Sequence, residues 1–120
     1  MASEKKYQGS CHCGAVRYEV NMALDEVIAC NCSMCGRKGY YLSFVPATAF
    51  TLLSGADSLT DYQFNRKVIH HLFCKVCGVS SFARGVGPGG QETVAINARC
   101  LEGVDIFALK VKQVDGKQHS

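Results

Sequence analysis

Short apolar runs broken by turns set the rhythm of this chain. "AVRYEV" (15–20) alternates apolar and polar positions, while "VIACNC" (27–32) and "YYLSFV" (40–45) are brief and rich in β-branched and aromatic residues. "FTLLSG" (50–55) and "LTDYQF" (59–64) frame a turn at "GADS", and "KVIHHLF" (67–73), "VSSFAR" (79–84) and "TVAINA" (93–98) keep the same spacing. Strands separated by turns every roughly 8–12 residues predict a mainly β fold. Helix is scarce: a turn after Cys35 and a weak one near "CLEGVD" (100–105), where Gly103 interrupts any longer helical pattern.

A length of 120 residues leaves no room for two independent cores, so one domain over residues 1–120, with its core at about 7–110, is expected. No run approaches the roughly 20 apolar residues that cross a bilayer, and "MASEKKYQGS" has no hydrophobic stretch of the signal-peptide kind. A cytoplasmic protein without a membrane partner is the expectation. The net charge of +3 is spread over short groups such as "EKK", "RK", "NRK" and "KVK", a solvated surface and a poor footprint for nucleic acid. Arg37 and Lys38 stand apart because they directly follow a cluster of thiols.

Eight cysteines in so short a chain change the picture. In a reducing compartment, closely spaced thiols hold metal more often than they form disulfides. Cys11 and Cys13 form a CxC pair, Cys30, Cys32 and Cys35 a CxCxxC cluster, Cys74 and Cys77 a CxxC pair, and Cys100 stands alone. In an extended strand, residues i and i+2 share a face, so both thiols of the CxC can reach one ion while His12 points away. "CKVCG" suits a tight knuckle in which Gly78 takes the unusual backbone angle. Cys11, Cys13, Cys74 and Cys77 therefore predict a closed four-cysteine zinc site that clips the N-terminal strand to the strand ending at Phe73.

The cluster of Cys30, Cys32 and Cys35 supplies three ligands from one local unit. Three protein ligands with a free fourth position are what a metal needs when water or substrate must bind it. The competing reading closes this site with Cys100, His70 or His71. Of the two histidines, one must face each way from a strand, and packing or a supporting hydrogen bond suits His71 better than ligation. "GVGPGG" (85–90) satisfies GxGxxG, but it leads into the β-prone "ETVAINA" and is expected to be a loop.

The succession "GSCHCGAVRYEV", "CNCSMCGRKG", "FVPATAFTLLSGADSLTDYQF", "HLFCKVCGVSSF" and "INARCLEGVD" resembles the glutathione-dependent formaldehyde-activating enzyme family, also called the centromere protein V-like family. The resemblance runs from about Gly9 to Asp105. It implies a zinc-bearing β-tent fold with two zinc ions: a structural one on Cys11, Cys13, Cys74 and Cys77, and a catalytic one on Cys30, Cys32 and Cys35. It also implies addition of glutathione to formaldehyde, a carbon–sulfur bond formation of the lyase class. Zinc with three thiolates carries a formal charge of −1, which weakens it as a Lewis acid but lets it hold a fourth thiol as a nucleophilic thiolate. The expected reaction is attack of such a thiolate on an aldehyde, with a small thiol and a small aldehyde as partners. Arg37 and Lys38 then either bind a glutathione carboxylate or remain exposed surface cations. The alternative class is a zinc-stabilised binding module, which needs closed metal sites only; a nucleic-acid zinc ribbon lacks its basic stripe.

Overall fold

The computed structural model describes residues 4–63, 69–87 and 89–115. Phe64, the basic pair Arg66 and Lys67, Val68 and Pro88 of the expected elements lie outside the described residues. The fold is mainly β, built among the described residues on ten strands: β1 (Lys5–Ser10), β2 (Arg17–Met22), β3 (Glu26–Cys30), β4 (Leu42–Pro46), β5 (Phe50–Ser54), β6 (Leu59–Tyr62), β7 (His70–Cys74), β8 (Phe82–Val86), β9 (Glu92–Asn97) and β10 (Lys110–Val114). A short helix, α1 (Cys35–Lys38), begins at Cys35 and ends at Gly39, whose φ of 69° only glycine adopts at little cost.

The strands form a three-stranded sheet, β1-β2-β5, and a seven-stranded sheet, β10-β3-β4-β9-β8-β7-β6. All pairs are antiparallel except β10 with β3. Alternation decides what lies between the sheets. Tyr18, Val20 and Met22 of β2 turn inward, as do Val45 of β4 and Val94 and Ile96 of β9, all buried. Tyr18, Phe50 and Phe82 meet at the centre, with ring centroids 4.7–5.6 Å apart. Each fully buried side chain of this size stabilises the fold by about 1.5–3 kcal/mol, so this layer is the main cohesive element of the two sheets.

The weak helix expected near "CLEGVD" takes the form of two single 3-10 turns on either side of it, at Ala98–Cys100 and Ile106–Ala108. Asn97 and Asp105 cap them, each side chain accepting from the amide two residues on. "GVGPGG" contributes its first two residues to β8, and the Gly87 amide bonds to the Gln91 carbonyl at 2.8 Å in the connection to β9. No helix among the described residues is long and apolar enough to cross a membrane.

Candidate functional site

Seven thiols converge in two groups. Cys11, Cys13, Cys74 and Cys77 have all their sulfurs within 4.8 Å of one another, and so do Cys30, Cys32 and Cys35. The two groups are those expected from spacing, although one device differs. β1 stops at Ser10, so Cys11 and Cys13 sit in a bend rather than on an extended strand. The Cys11 amide bonds to the Val16 carbonyl at 3.1 Å, and the Val16 amide donates to Cys11 Sγ at 3.3 Å, which turns both sulfurs to one side. Across the molecule β7 runs one residue past Phe73 and ends at Cys74. A knuckle follows, closed by the Gly78 amide on the Cys74 carbonyl at 2.7 Å with Gly78 at φ 80°.

The geometry suits zinc. Four sulfurs at about 2.3 Å from a tetrahedral ion lie about 3.8 Å apart. Cys11 Sγ to Cys13 Sγ and Cys13 Sγ to Cys74 Sγ are both 3.7 Å. Cys77 is brought down to about 6 by the Cys13 amide, then by that of Val79, and Cys74 is lowered by the Cys77 amide. Such amides favour the thiolate that a metal requires.

In the other group the Cys32 amide lies 3.5 Å from Cys30 Sγ and the Cys35 amide 3.3 Å from Cys32 Sγ. Burial opposes ionisation of Cys32, but the Cys35 amide and the neighbouring groups outweigh it and lower its pKa. Cys35 moves the other way, pushed up by burial and by Cys32 and Cys30 beside it. Three thiols this close cannot all ionise without a compensating cation, and an all-sulfur donor set selects a soft ion such as zinc. All three are partly exposed, whereas in the larger group Cys11 and Cys74 are buried, Cys77 is partly exposed and Cys13 is exposed. Among the described residues, no fourth histidine, cysteine or carboxylate joins the three within 4.8 Å.

The remaining candidates divide clearly. His70 is half-exposed and pairs with Asp61 at 2.6 Å, while its neighbour His71 is buried, so the two do face opposite ways. Cys100 joins neither thiol group; its Sγ lies 3.9 Å from the Ser80 carbonyl, and burial raises its pKa. Arg37 is an exposed cation whose guanidinium donates back to the Ser33 carbonyl at 2.9 Å. Lys38 reaches instead across to the β7–β8 connection, donating to Ser80 Oγ at 3.0 Å with its ammonium 5.0 Å from the Phe73 ring centroid. Ser80 is thus a polar anchor that no sequence spacing signalled. Tyr40, buried just after α1, was equally silent, since "YYLSFV" reads only as strand.

Pairing register fixes the face on which the three-cysteine group lies. Ile28 pairs with Leu42, and Cys30 is two residues from Ile28, so Cys30 shares the face of Leu42 and Phe44. Phe44 pairs with Ala95, Ala95 with Ala83 and Ala83 with His71, which makes one continuous row on that face. This is the side of the large sheet turned away from the three-aromatic core.

A crystal structure of a Rhodobacter sphaeroides protein superposes with a TM-score of 0.74 at 30% identity, covering 88% of this chain and 99% of that one. The family "Glutathione-dependent formaldehyde-activating enzyme" matches residues 6–113. With that match spanning the β strands and both thiol groups, the chain belongs to the glutathione-dependent formaldehyde-activating enzyme family.

Proposed function

We propose that this protein adds a small thiol of the glutathione type to an aldehyde of the formaldehyde type, as a zinc-dependent carbon–sulfur lyase. The observation that carries the proposal is the inequality of the two thiol groups: one of four residues, half of them buried, and one of three, all partly exposed. Cys11, Cys13, Cys74 and Cys77 would hold a structural zinc, and Cys30, Cys32 and Cys35 a reactive one. Zinc on the three-cysteine group would supply a fourth position at which a substrate thiol is kept as thiolate at neutral pH.

The chain's own residues do the rest. The Cys32 and Cys35 amides hold the ligand sulfurs in place, so the group is organised before substrate arrives. Lys38, three residues after Cys35 and anchored on Ser80, suits one carboxylate of a glutathione-like thiol. In the overall addition the thiol sulfur bonds to the carbonyl carbon, the carbonyl π pair moves to oxygen, and that oxygen takes up the proton the thiol gave up. No oxidant or reductant is needed.

The test is an exchange measurement, because thiols and formaldehyde also combine unaided. Isotope-exchange NMR of labelled formaldehyde with glutathione should show faster interconversion with zinc-loaded protein, and Cys32→Ser should return the rate to the uncatalysed one. Equal rates with and without the native protein, for any thiol and aldehyde tried, would leave a zinc-stabilised binding module as the better reading.

A further inference from the structure

The opposite face of the large sheet, turned away from Cys30, carries a charged hollow. Strand alternation points His70 and Arg84 away from the row of His71, Ala83 and Ala95, and the two are register partners across β7 and β8. With Ala47, Glu92, Thr93 and Val94 they wall a cavity of about 250 Å³. Arg84 is half-buried, and its guanidinium lies 5.0 Å and 5.5 Å from the ring centroids of Phe50 and Phe82. Contact with two core rings holds the group in place but gives its N–H donors no acceptor. Among the described residues, no hydrogen bond or ion pair engages them. A partly desolvated guanidinium in that state suits a carboxylate, which its planar fork binds through two parallel hydrogen bonds.

The charges around the hollow narrow the ligand further. Arg84 pairs with Val94, and Glu92 lies two residues before Val94, so Glu92 shares the face of Arg84 as its diagonal neighbour, roughly 7 Å away. Long side chains of opposite charge can close such a gap, but Arg84 is held on the rings instead, and one charge of each sign is left flanking the space. His70 does not tip the balance, because its Nδ1 is already matched to Asp61 Oδ2 at 2.6 Å. A simple anion entering here is drawn to Arg84 but repelled by Glu92 and Asp61, whereas a ligand with both a carboxylate and an ammonium meets a partner for each. At about 30 Å³ per water-sized group the cavity holds roughly eight non-hydrogen atoms, the size of the smaller amino acids and well short of a tripeptide. We infer that this hollow binds a small zwitterionic α-amino acid, its carboxylate on Arg84 and its ammonium on Glu92. The site is separate from both thiol groups and stands whether or not thiol addition does.

The experiment is an NMR titration of the zinc-loaded protein with L-alanine, acetate and methylammonium in turn, following the Arg84 side-chain N–H and the amides of Gly85 and Thr93. L-Alanine should shift these signals together and saturate with a Kd of about 1 mM or below. Acetate and methylammonium, each carrying half of the ligand, should bind about ten-fold or more weakly. Arg84→Gln, checked for an unchanged unfolding midpoint, should weaken L-alanine about ten-fold or more, read at the two amides. Glu92→Gln, at an exposed position where folding is not at stake, should weaken L-alanine while leaving acetate no weaker than before. That contrast is one a merely structural role would not produce, and it decides the matter alone if Arg84→Gln does not fold. Acetate binding as tightly as L-alanine, or L-alanine indifferent to Glu92→Gln, would overturn the zwitterion assignment. No saturable shift with any of the three would overturn the site itself.

Discussion

His71 shows how one residue's surroundings set a measurable pH response. It is buried in the row facing the three-cysteine side, and its pKa is lowered, first by burial and then by Lys38, with Asp61 opposing. Its folded-state pKa thus lies below the 6.5 of an ordinary histidine, so the unfolded chain binds the extra proton first as pH falls. The stability held by neutral His71 is full above about pH 6.5 and is lost as pH drops through that value towards the folded pKa. Comparing native protein with His71→Phe from pH 8 to 5.5, the difference in unfolding midpoint should move in favour of the variant as pH falls. The thiolates titrate alike in both proteins and cancel in the difference; a gap independent of pH would contradict the account. Individual residues of this kind were only partly legible in the sequence. That His70 and His71 face opposite ways follows from strand alternation, but their partners, Asp61 and the Lys38 side, come from elements brought together only by folding.

At the scale of elements, local pattern carried far. The eight runs of apolar and β-branched residues coincide with β2 to β9, because each is either alternating or short and bounded by turn residues. β1 "KKYQGS" and β10 "KVKQV" carry no such signal: β10 is exposed along its whole length and is held by parallel pairing with β3, a tertiary fact. Lysine-rich edges of this kind protect a sheet from pairing with other chains and look like surface charge in the sequence. The thiol groups were legible because CxC, CxCxxC and CxxC are local devices. The face they share with Phe44 and Ala95 was not, since it depends on register. Gly55 offers a test of how tightly these elements fit. It has φ 94°, and a Cβ there would come within 2.4 Å of the Ala15 carbonyl oxygen and 2.7 Å of Val16 Cα, in the bend that carries Cys11 and Cys13. Gly55→Ala should cost about 2–4 kcal/mol and lower the unfolding midpoint by about 10 °C or more. A shift within 2 °C or so would mean that the bend yields freely.

For the whole molecule, the two thiol groups differ in reach. Cys13 and Cys74 are 61 residues apart, so a zinc ion on the larger group would tie the bend after β1 to the end of β7 in the other sheet, whereas one on the smaller group would close only a local turn. With both groups loaded as proposed, the two zinc ions should leave at unequal rates, and a chromophoric chelator should release them in two phases, the three-cysteine one first; a single phase for both would count against the inequality. Structural zinc binding is worth on the order of 10 kcal/mol, comparable to the 5–15 kcal/mol by which such a domain is stable at all. Losing Cys77 should remove several kcal/mol of it, while losing Cys32 should spare the fold and abolish thiol addition. The most direct test is the thermal unfolding midpoint of Cys77→Ser against that of Cys32→Ser, each with its zinc content measured. The account predicts a fall of about 15 °C or more for Cys77→Ser and about 5 °C or less for Cys32→Ser, with the latter retaining one tightly held zinc. Equal falls, with both metals lost from both variants, would contradict it and make the two groups structural alike.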